Sequence, residues 1–110
     1  MERVTQALPL LKYLSSAPDS EIKIHLSDPV VKLFGEITYN LLNRGYFELT
    51  AEEKKYFSRF SGKIALISRK RLPKLQRKAL LLSSPKLVRA IAKLTVSCFE
   101  GTETDPESEN

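Results

Sequence analysis

Residues 27–45 read SDPVVKLFGEITYNLLNRG, and this stretch carries the clearest fold signal in the chain. Ser27-Asp28-Pro29 supplies a capping side chain followed by a proline, which is typical of a helix start. Gly45 suits the left-handed position that ends a helix. Between them, apolar residues recur at helical spacing, and they are Val30, Phe34, Ile37 and Leu41. The stretch therefore predicts an amphipathic helix whose apolar face must pack against other elements.

The segments before this helix predict two shorter helices. Pro9 is tolerated in the first turn of a helix that continues to Leu14. The following residues, Ser15–Asp19, predict an interruption between this helix and the next. Residues 21–26 alternate apolar and polar side chains, a pattern that would also suit a strand. We predict a helix there because the sequence offers no second strand to pair with it.

A capping box at Thr50 and Glu53 predicts the start of the fourth helix. In such a box each side chain accepts a hydrogen bond from the backbone N–H of the other residue. The helix is predicted over residues 51–71 and ends at Leu72-Pro73, because proline removes a donor and disfavours the α conformation before it. Its inner face would consist of Phe57, Phe60, Ile64 and Ile67, with Tyr56 beside them.

Two more helices complete the predicted fold. A short fifth helix would turn Leu75, Ala79 and Leu82 inward. The last helix, over residues 84–99, would bury Leu87, Val88, Ile91, Leu94 and Cys98. We therefore predict an all-α fold, a compact bundle of five to six short helices that forms one domain over residues 5–99. Residues 100–110 contain five acids and no apolar residue to bury, which predicts a disordered acidic tail.

The charges are unevenly distributed along the chain. Residues 54–99 contain 13 Lys or Arg and no Asp or Glu, whereas residues 1–53 contain 8 acids and 5 bases. Helix surfaces usually mix the two signs, because Glu and Lys one turn apart stabilise each other. A long segment without any carboxylate forgoes that stabilisation, which indicates a polyanionic partner for this basic half.

Nucleic acid is the favoured partner, and DNA is favoured over RNA. Lys and Arg on an unopposed face attract phosphates and release counterions without reading base edges. Two alternatives stay open: an acidic surface, such as that of a capsid protein, a host protein or a membrane, and a nuclear import signal over residues 69–78. The predicted nucleic-acid contacts are Lys55, Arg59, Lys63, Arg69, Lys70, Arg71, Lys74, Arg77 and Lys78.

The residue inventory argues against an enzyme, and we predict no catalytic, cofactor-binding or metal-binding residue. The chain has one histidine, His25, one cysteine, and four glycines too far apart for a phosphate loop. No apolar run approaches the ~18 residues of a membrane span. The N-terminus does not resemble a signal peptide. We expect a binding or structural protein that works inside a cell or a particle.

The order of these signals resembles a small protein family that Polinton (Maverick) elements and adintovirus-like DNA viruses encode in animal genomes. Members open with Pro-Leu-Leu-x-x-Leu, matched by residues 9–14, and continue into a helix ending in Asn-hydrophobic-Leu-x-x-Gly, matched by residues 29–45. A Leu-Thr cap, a Lys-rich helix and a basic helix-break-helix match residues 49–78, whereas the family's Gly-Gly-Phe-Leu tail has no counterpart. The resemblance implies a viral or transposon accessory protein, associated with capsid or genome, in the host nucleus or virion.

Overall fold

The structure, a computed structural model, describes residues 2–43 and 49–100. Within these residues the chain forms eight helices and no strand, which confirms the predicted all-α class but not the predicted five to six helices. The helix predicted at residues 21–26 is also confirmed, over Asp19–His25. In chain order the helices are α1 (Glu2–Gln6), α2 (Leu8–Leu14), α3 (Asp19–His25), α4 (Asp28–Asn43), α5 (Ala51–Ser58), α6 (Ser61–Ile67), α7 (Lys74–Leu82) and α8 (Pro85–Glu100).

The two longest helices, α4 and α8, organise the core. Helix α4 packs against α6 and α7, and α8 packs against α2, α3 and α7. The apolar stripe predicted for α4 is buried at Val30, Phe34 and Ile37, and Leu41 is half-buried at its end. On α8 the predicted inner residues are buried as well, and they are Leu87, Val88, Ile91 and Leu94. Cys98, which was expected to be buried, is half-buried.

The predicted capping box at the start of α5 is confirmed. The Thr50 hydroxyl accepts a hydrogen bond from the Glu53 backbone N–H at 3.1 Å, and the Glu53 carboxylate accepts one from the Thr50 N–H at 2.9 Å. Two backbone donors that a helix start would leave unpaired are thereby satisfied. This box fixes where the basic half of the chain begins.

The single helix predicted over residues 51–71 is wrong, because the chain forms two helices there. The backbone N–H groups of Arg59 and Phe60 bond to carbonyls only three residues back, at 3.2 and 3.0 Å, so the α-helical ladder is interrupted. Ser61 and Gly62 follow directly, and both have low helix propensity. Phe60, expected to lie inside, is consequently half-buried at the edge of the core.

The inner face predicted for the fifth helix is wrong at Leu75 and Ala79, whereas its third member, Leu82, is half-buried against the core. Leu75 is 82% exposed and Ala79 is exposed, whereas Arg77 and Leu81 are the buried residues of α7. Hydrogen bonds from the Arg77 side chain to the end of α6 set this orientation. A tertiary contact of a charged group therefore overrides the apolar pattern of the helix.

The C-terminal boundary lies one residue later than predicted. Helix α8 continues to Glu100, whose carboxylate lies 3.0 Å from the ammonium group of Lys12. Glu100 is therefore the last residue of α8. The predictions of a disordered tail and of a helix end at Gly45 concern residues outside the described ranges.

Candidate nucleic-acid interface

The exposed side of α5 carries the first two predicted contacts. Lys55 and Arg59 are four residues apart, so they project from the same side of the helix and of the turn that follows it. Phe57, between them in sequence, is buried on the other side. Both cations are exposed, and neither pairs with a carboxylate among the described residues. Their charges are directed into solvent.

The connection between α6 and α7 carries three more predicted nucleic-acid contacts. Its backbone is held by hydrogen bonds from the Arg69 N–H to the Leu66 carbonyl, at 3.1 Å, and from the Leu72 N–H to the Arg69 carbonyl, at 3.2 Å. The side chains of Arg69, Lys70 and Arg71 are exposed. The Lys70 ammonium lies 4.9 Å from the centre of the Tyr39 ring, a favourable cation–π arrangement.

These five cations form what we call the exposed basic set: Lys55, Arg59, Arg69, Lys70 and Arg71. Within the described part of the chain, no carboxylate lies within ion-pairing distance of any of them. Each can therefore contact an external anion without first breaking a salt bridge.

The other predicted contacts have different surroundings. Lys63 is half-buried and donates hydrogen bonds to the hydroxyls of Ser83, at 3.1 Å, and Ser84, at 2.5 Å, so it fastens α6 to the turn between α7 and α8. Lys74 lies 3.7 Å from Asp28 at the start of α4. Lys78 is half-buried. The ammonium groups of Lys63 and Lys74 already have partners within the fold.

Arg77 departs furthest from its predicted role, because its side chain is only 8% exposed. Its Nε atom donates to the Ile67 carbonyl at 2.9 Å, and its Nη2 atom donates to the Arg69 carbonyl. The first bond supplies a donor to the carbonyl of Ile67, the last residue of α6, and the second adds a donor to the Arg69 carbonyl, which also accepts from the Leu72 N–H. The side chain also lies against Gly35 of α4. Arg77 thus joins α6, α7 and α4.

The structure brings Arg77 and Lys70 together with two cations that were not predicted as contacts. Arg3 of α1 and Lys32 of α4 line the same groove, which has a volume of about 790 Å³. One carboxylate, that of Glu36, also lines it, and its Oε2 lies 2.9 Å from Arg3 Nη1. Four cations and one acid therefore share this groove, and its net charge is positive.

Arg3 and Lys32 could not be predicted from the charge pattern, because both lie in the half of the chain where acids outnumber bases. Gly35 was the sequence signal that could have indicated the close approach of another side chain to α4. Glycine inside a helix costs about 1 kcal/mol relative to alanine, so it often marks the close approach of another group. A Cβ atom at Gly35 would lie 2.9 Å from Arg77 Nε, so the glycine makes room for the arginine.

The described residues also bear on two other classes of site, a metal centre and a membrane span. No group of three or more His, Cys, Asp or Glu in that part of the chain could hold a metal ion. None of its helices combines the length and apolar character needed to cross a membrane.

Comparison of the chain with family models, with curated proteins and with solved structures found no match. The resemblance to the Polinton and adintovirus family stays a prediction.

Proposed function

We propose that this protein binds nucleic acid without sequence preference, DNA rather than RNA, through the exposed basic set on α5 and the α6–α7 connection. In this proposal it is a genome- or capsid-associated protein of a virus or transposon, and it acts in the host nucleus or the virion. It has no catalytic role.

The observation that carries the proposal is the lack of acidic partners around the exposed basic set. Its five side chains are exposed and, within the described residues, none forms an ion pair. Like charges in solvent repel one another, and a mixed surface would avoid that cost. A polyanion relieves the repulsion, because each neutralised phosphate releases its condensed counterions.

The side chains available also favour binding without sequence preference. Base edges are read mainly by bidentate Arg, Asn and Gln side chains carried into a groove by one helix. Here the exposed basic set is divided between the end of one helix and a loop, and Gln76 is the only exposed amide of α7. Contacts to phosphates need only charge and reach.

A second candidate function is a protein adaptor that docks an acidic partner such as a capsid or host protein. Its specific support is Leu75, which is 82% exposed between Lys74 and Gln76. Protein interfaces combine a buried apolar residue with a polar rim, whereas phosphates gain nothing from a leucine. Leu75→Ser should leave DNA affinity unchanged if nucleic acid is the partner.

The alternative of an import signal over residues 69–78 is less well supported. An import receptor would need the basic side chains of this segment to be accessible. The Arg77 guanidinium is buried and bonded to two backbone carbonyls, and Lys74 lies near Asp28. We therefore favour direct nucleic-acid contact by Arg69, Lys70 and Arg71 as the role of this segment.

The salt dependence of DNA binding tests the proposal. If about five phosphates are neutralised, log K for a short duplex should fall against log salt with a slope of about −4.5. Two duplexes of unrelated sequence should bind with the same affinity and slope. A slope near zero, or no binding at low salt, would overturn the nucleic-acid proposal and favour the adaptor.

A further inference from the structure

The charge of Arg77 has no counter-ion within the described residues. The side chain is 8% exposed, and no carboxylate there lies within ion-pairing distance of it. Its two hydrogen bonds go to neutral carbonyls, and its Nη1 atom has no described hydrogen-bond partner. A buried charge is costly unless it is paired, so a guanidinium in this position favours an incoming anion.

The surroundings of Arg77 supply further positive charge. Arg3, Lys32 and Lys70 line the same groove from α1, α4 and the α6–α7 connection. The Glu36 carboxylate is the one acid of the lining, and it already pairs with Arg3 at 2.9 Å. Cations from three separate parts of the chain therefore line the groove around one buried arginine.

Neutral hydrogen-bonding groups complete the groove. Gln6, Asn40 and Ser68 lie in its lining beside the Tyr39 ring. The Asn40 amide also donates to the Glu36 carbonyl at 2.9 Å, and the Ser68 hydroxyl donates to the Ala65 carbonyl at 2.8 Å. At Gly35, where a Cβ atom would come within 2.9 Å of Arg77 Nε, the glycine lets the guanidinium lie close to the backbone of α4. A tetrahedral anion with several acceptor oxygens fits such a mixture of a planar fork, ammonium groups and amides.

We propose that this groove is a phosphate-binding site centred on Arg77, with Lys32 and Lys70 as further contacts. The ligand class is a phosphate group, either free, on a small phosphorylated molecule, or in a nucleic-acid backbone. This inference does not depend on the proposed function, because four of the five members of the exposed basic set lie outside the groove lining.

Phosphate titration of the full chain, followed by nuclear magnetic resonance, tests the site. The probe is inorganic phosphate, and sodium chloride at equal ionic strength is the reference titration. The Arg77 side-chain Nε–H signal and the backbone amides of Gly35 and Ser68 should shift with saturation. If phosphate shifts these signals no more than chloride does, the proposal is overturned.

Matched variants define the contribution of each cation. Lys32→Gln and Lys70→Gln should each weaken phosphate binding about 3- to 10-fold, because each removes one charge-assisted contact. Lys86→Gln on α8 removes the same charge from an exposed site outside the groove lining and should have no such effect. Equal phosphate affinities in the three variants would overturn the proposal of a site in this groove.

Arg77→Lys keeps the charge but removes the planar fork. It should weaken phosphate binding more than about 10-fold, since a lysine cannot donate to the carbonyls of α6 and to the anion with the same geometry. Circular dichroism would check that the variant is folded. If it is not, Gly35→Ala, whose Cβ would displace the guanidinium, provides the same test. Undiminished binding in the folded variant would contradict a central role for Arg77.

Competition identifies the source of the phosphate. Displacement of inorganic phosphate by a nucleoside monophosphate and not by duplex DNA would assign the site to small ligands, and displacement by the duplex would assign it to a nucleic-acid backbone. Either result supports a phosphate site. Normal DNA binding without a phosphate-dependent shift at Arg77 would overturn this inference and leave the proposed function standing. Phosphate binding without DNA binding would overturn the proposed function and leave this inference standing.

Discussion

Arg89 on α8 and Arg59 after α5 belong to the same acid-free stretch of sequence, but their surroundings in the fold differ. Arg89 Nη1 lies 2.6 Å from the Asp19 carboxylate and 3.1 Å from the Ala17 carbonyl oxygen. Arg59 is exposed and has no carboxylate partner among the described residues. Arg89 therefore fastens α8 to the start of α3, whereas Arg59 can contact an external ligand.

Among the described residues, the acids that pair with the basic half come from the N-terminal half of the chain. Asp19 pairs with Arg89 across 70 residues of sequence, and Asp28 lies 3.7 Å from Lys74. Folding thus pairs some cations of the acid-free stretch with carboxylates, as at Lys74 and Arg89. It leaves others, which include the exposed basic set as well as Lys86 and Lys93, without a carboxylate partner among the described residues. The partners of each cation, rather than the number of cations, therefore distinguish the side chains that can contact an external anion.

Removing three members of the exposed basic set should have the largest effect on DNA binding. Lys55→Ser, Arg59→Ser and Arg71→Ser together should lower duplex affinity roughly 10²- to 10³-fold at about 0.1 M salt. The slope of log K against log salt should become shallower by about 2.7, because three phosphate contacts are lost. Fluorescence anisotropy over a range of salt concentrations measures both quantities.

A control with the same change in net charge makes this test specific. Lys23→Ser, Lys86→Ser and Lys93→Ser remove three exposed lysines from α3 and α8. Because long-range attraction is screened at this salt concentration, the control should bind DNA nearly as well as the natural protein. Equal losses in the two triple variants would mean that net charge, and not a defined surface, drives binding.

The fold class and most of the core could be predicted from the sequence because those signals are local. The capping box of α5 and the stripe of α4 depend on residues within one or two turns of each other. The interruption at Phe60 was missed, because an apolar pattern that continues through it, at Ile64 and Ile67, hides the weak helix propensity of Ser61 and Gly62.

The candidate site was predicted only in part, because its arrangement depends on contacts between distant segments. The exposed basic set could be predicted from the charge pattern, but the groove could not. Its cations come from α1, α4, the α6–α7 connection and α7, and only their packing brings Arg3 and Lys32 close to Arg77. Arg77 looked like any other surface cation in the sequence.

Arg77 and Arg89 are both bonded within the fold, and they should differ in their effect on stability. Arg77→Ala should lower the free energy of unfolding by about 2–3 kcal/mol, since it leaves the Ile67 and Arg69 carbonyls without their charged donor. Arg89→Ala should cost about 1 kcal/mol or less, because its partner Asp19 is largely exposed. Urea denaturation in phosphate-free buffer measures both, and equal losses would contradict the structural role assigned to Arg77.

A smaller effect is expected at Phe60, and a variant at this position tests whether the exposed basic set binds DNA by charge alone. The ring is half-buried and its centre lies 5.3 Å from that of Tyr56. Phe60→Ala should cost about 1–2 kcal/mol of stability, less than the 3–5 kcal/mol typical of a fully buried phenylalanine, and should leave DNA affinity unchanged. Phe57→Ala, at a buried position, is the control that should cost more. Normal stability with weaker single-stranded DNA binding would make Phe60 a stacking platform.

The smallest effect is expected from deletion of the acidic tail, whose carboxylates could pair with the exposed basic set. Residues 101–110 contain four acids, and because these acids are tethered to the basic half of the chain, we expect them to compete with an external polyanion. Each exposed pair is individually weak, so deleting residues 101–110 should tighten duplex binding only about two- to fivefold. Glu100 is kept because it pairs with Lys12 at the end of α8. The gain should be largest at low salt, where screening is weakest, and should be reproduced by replacing the four acids with their amides. Unchanged affinity in both variants would show that the tail does not compete with nucleic acid.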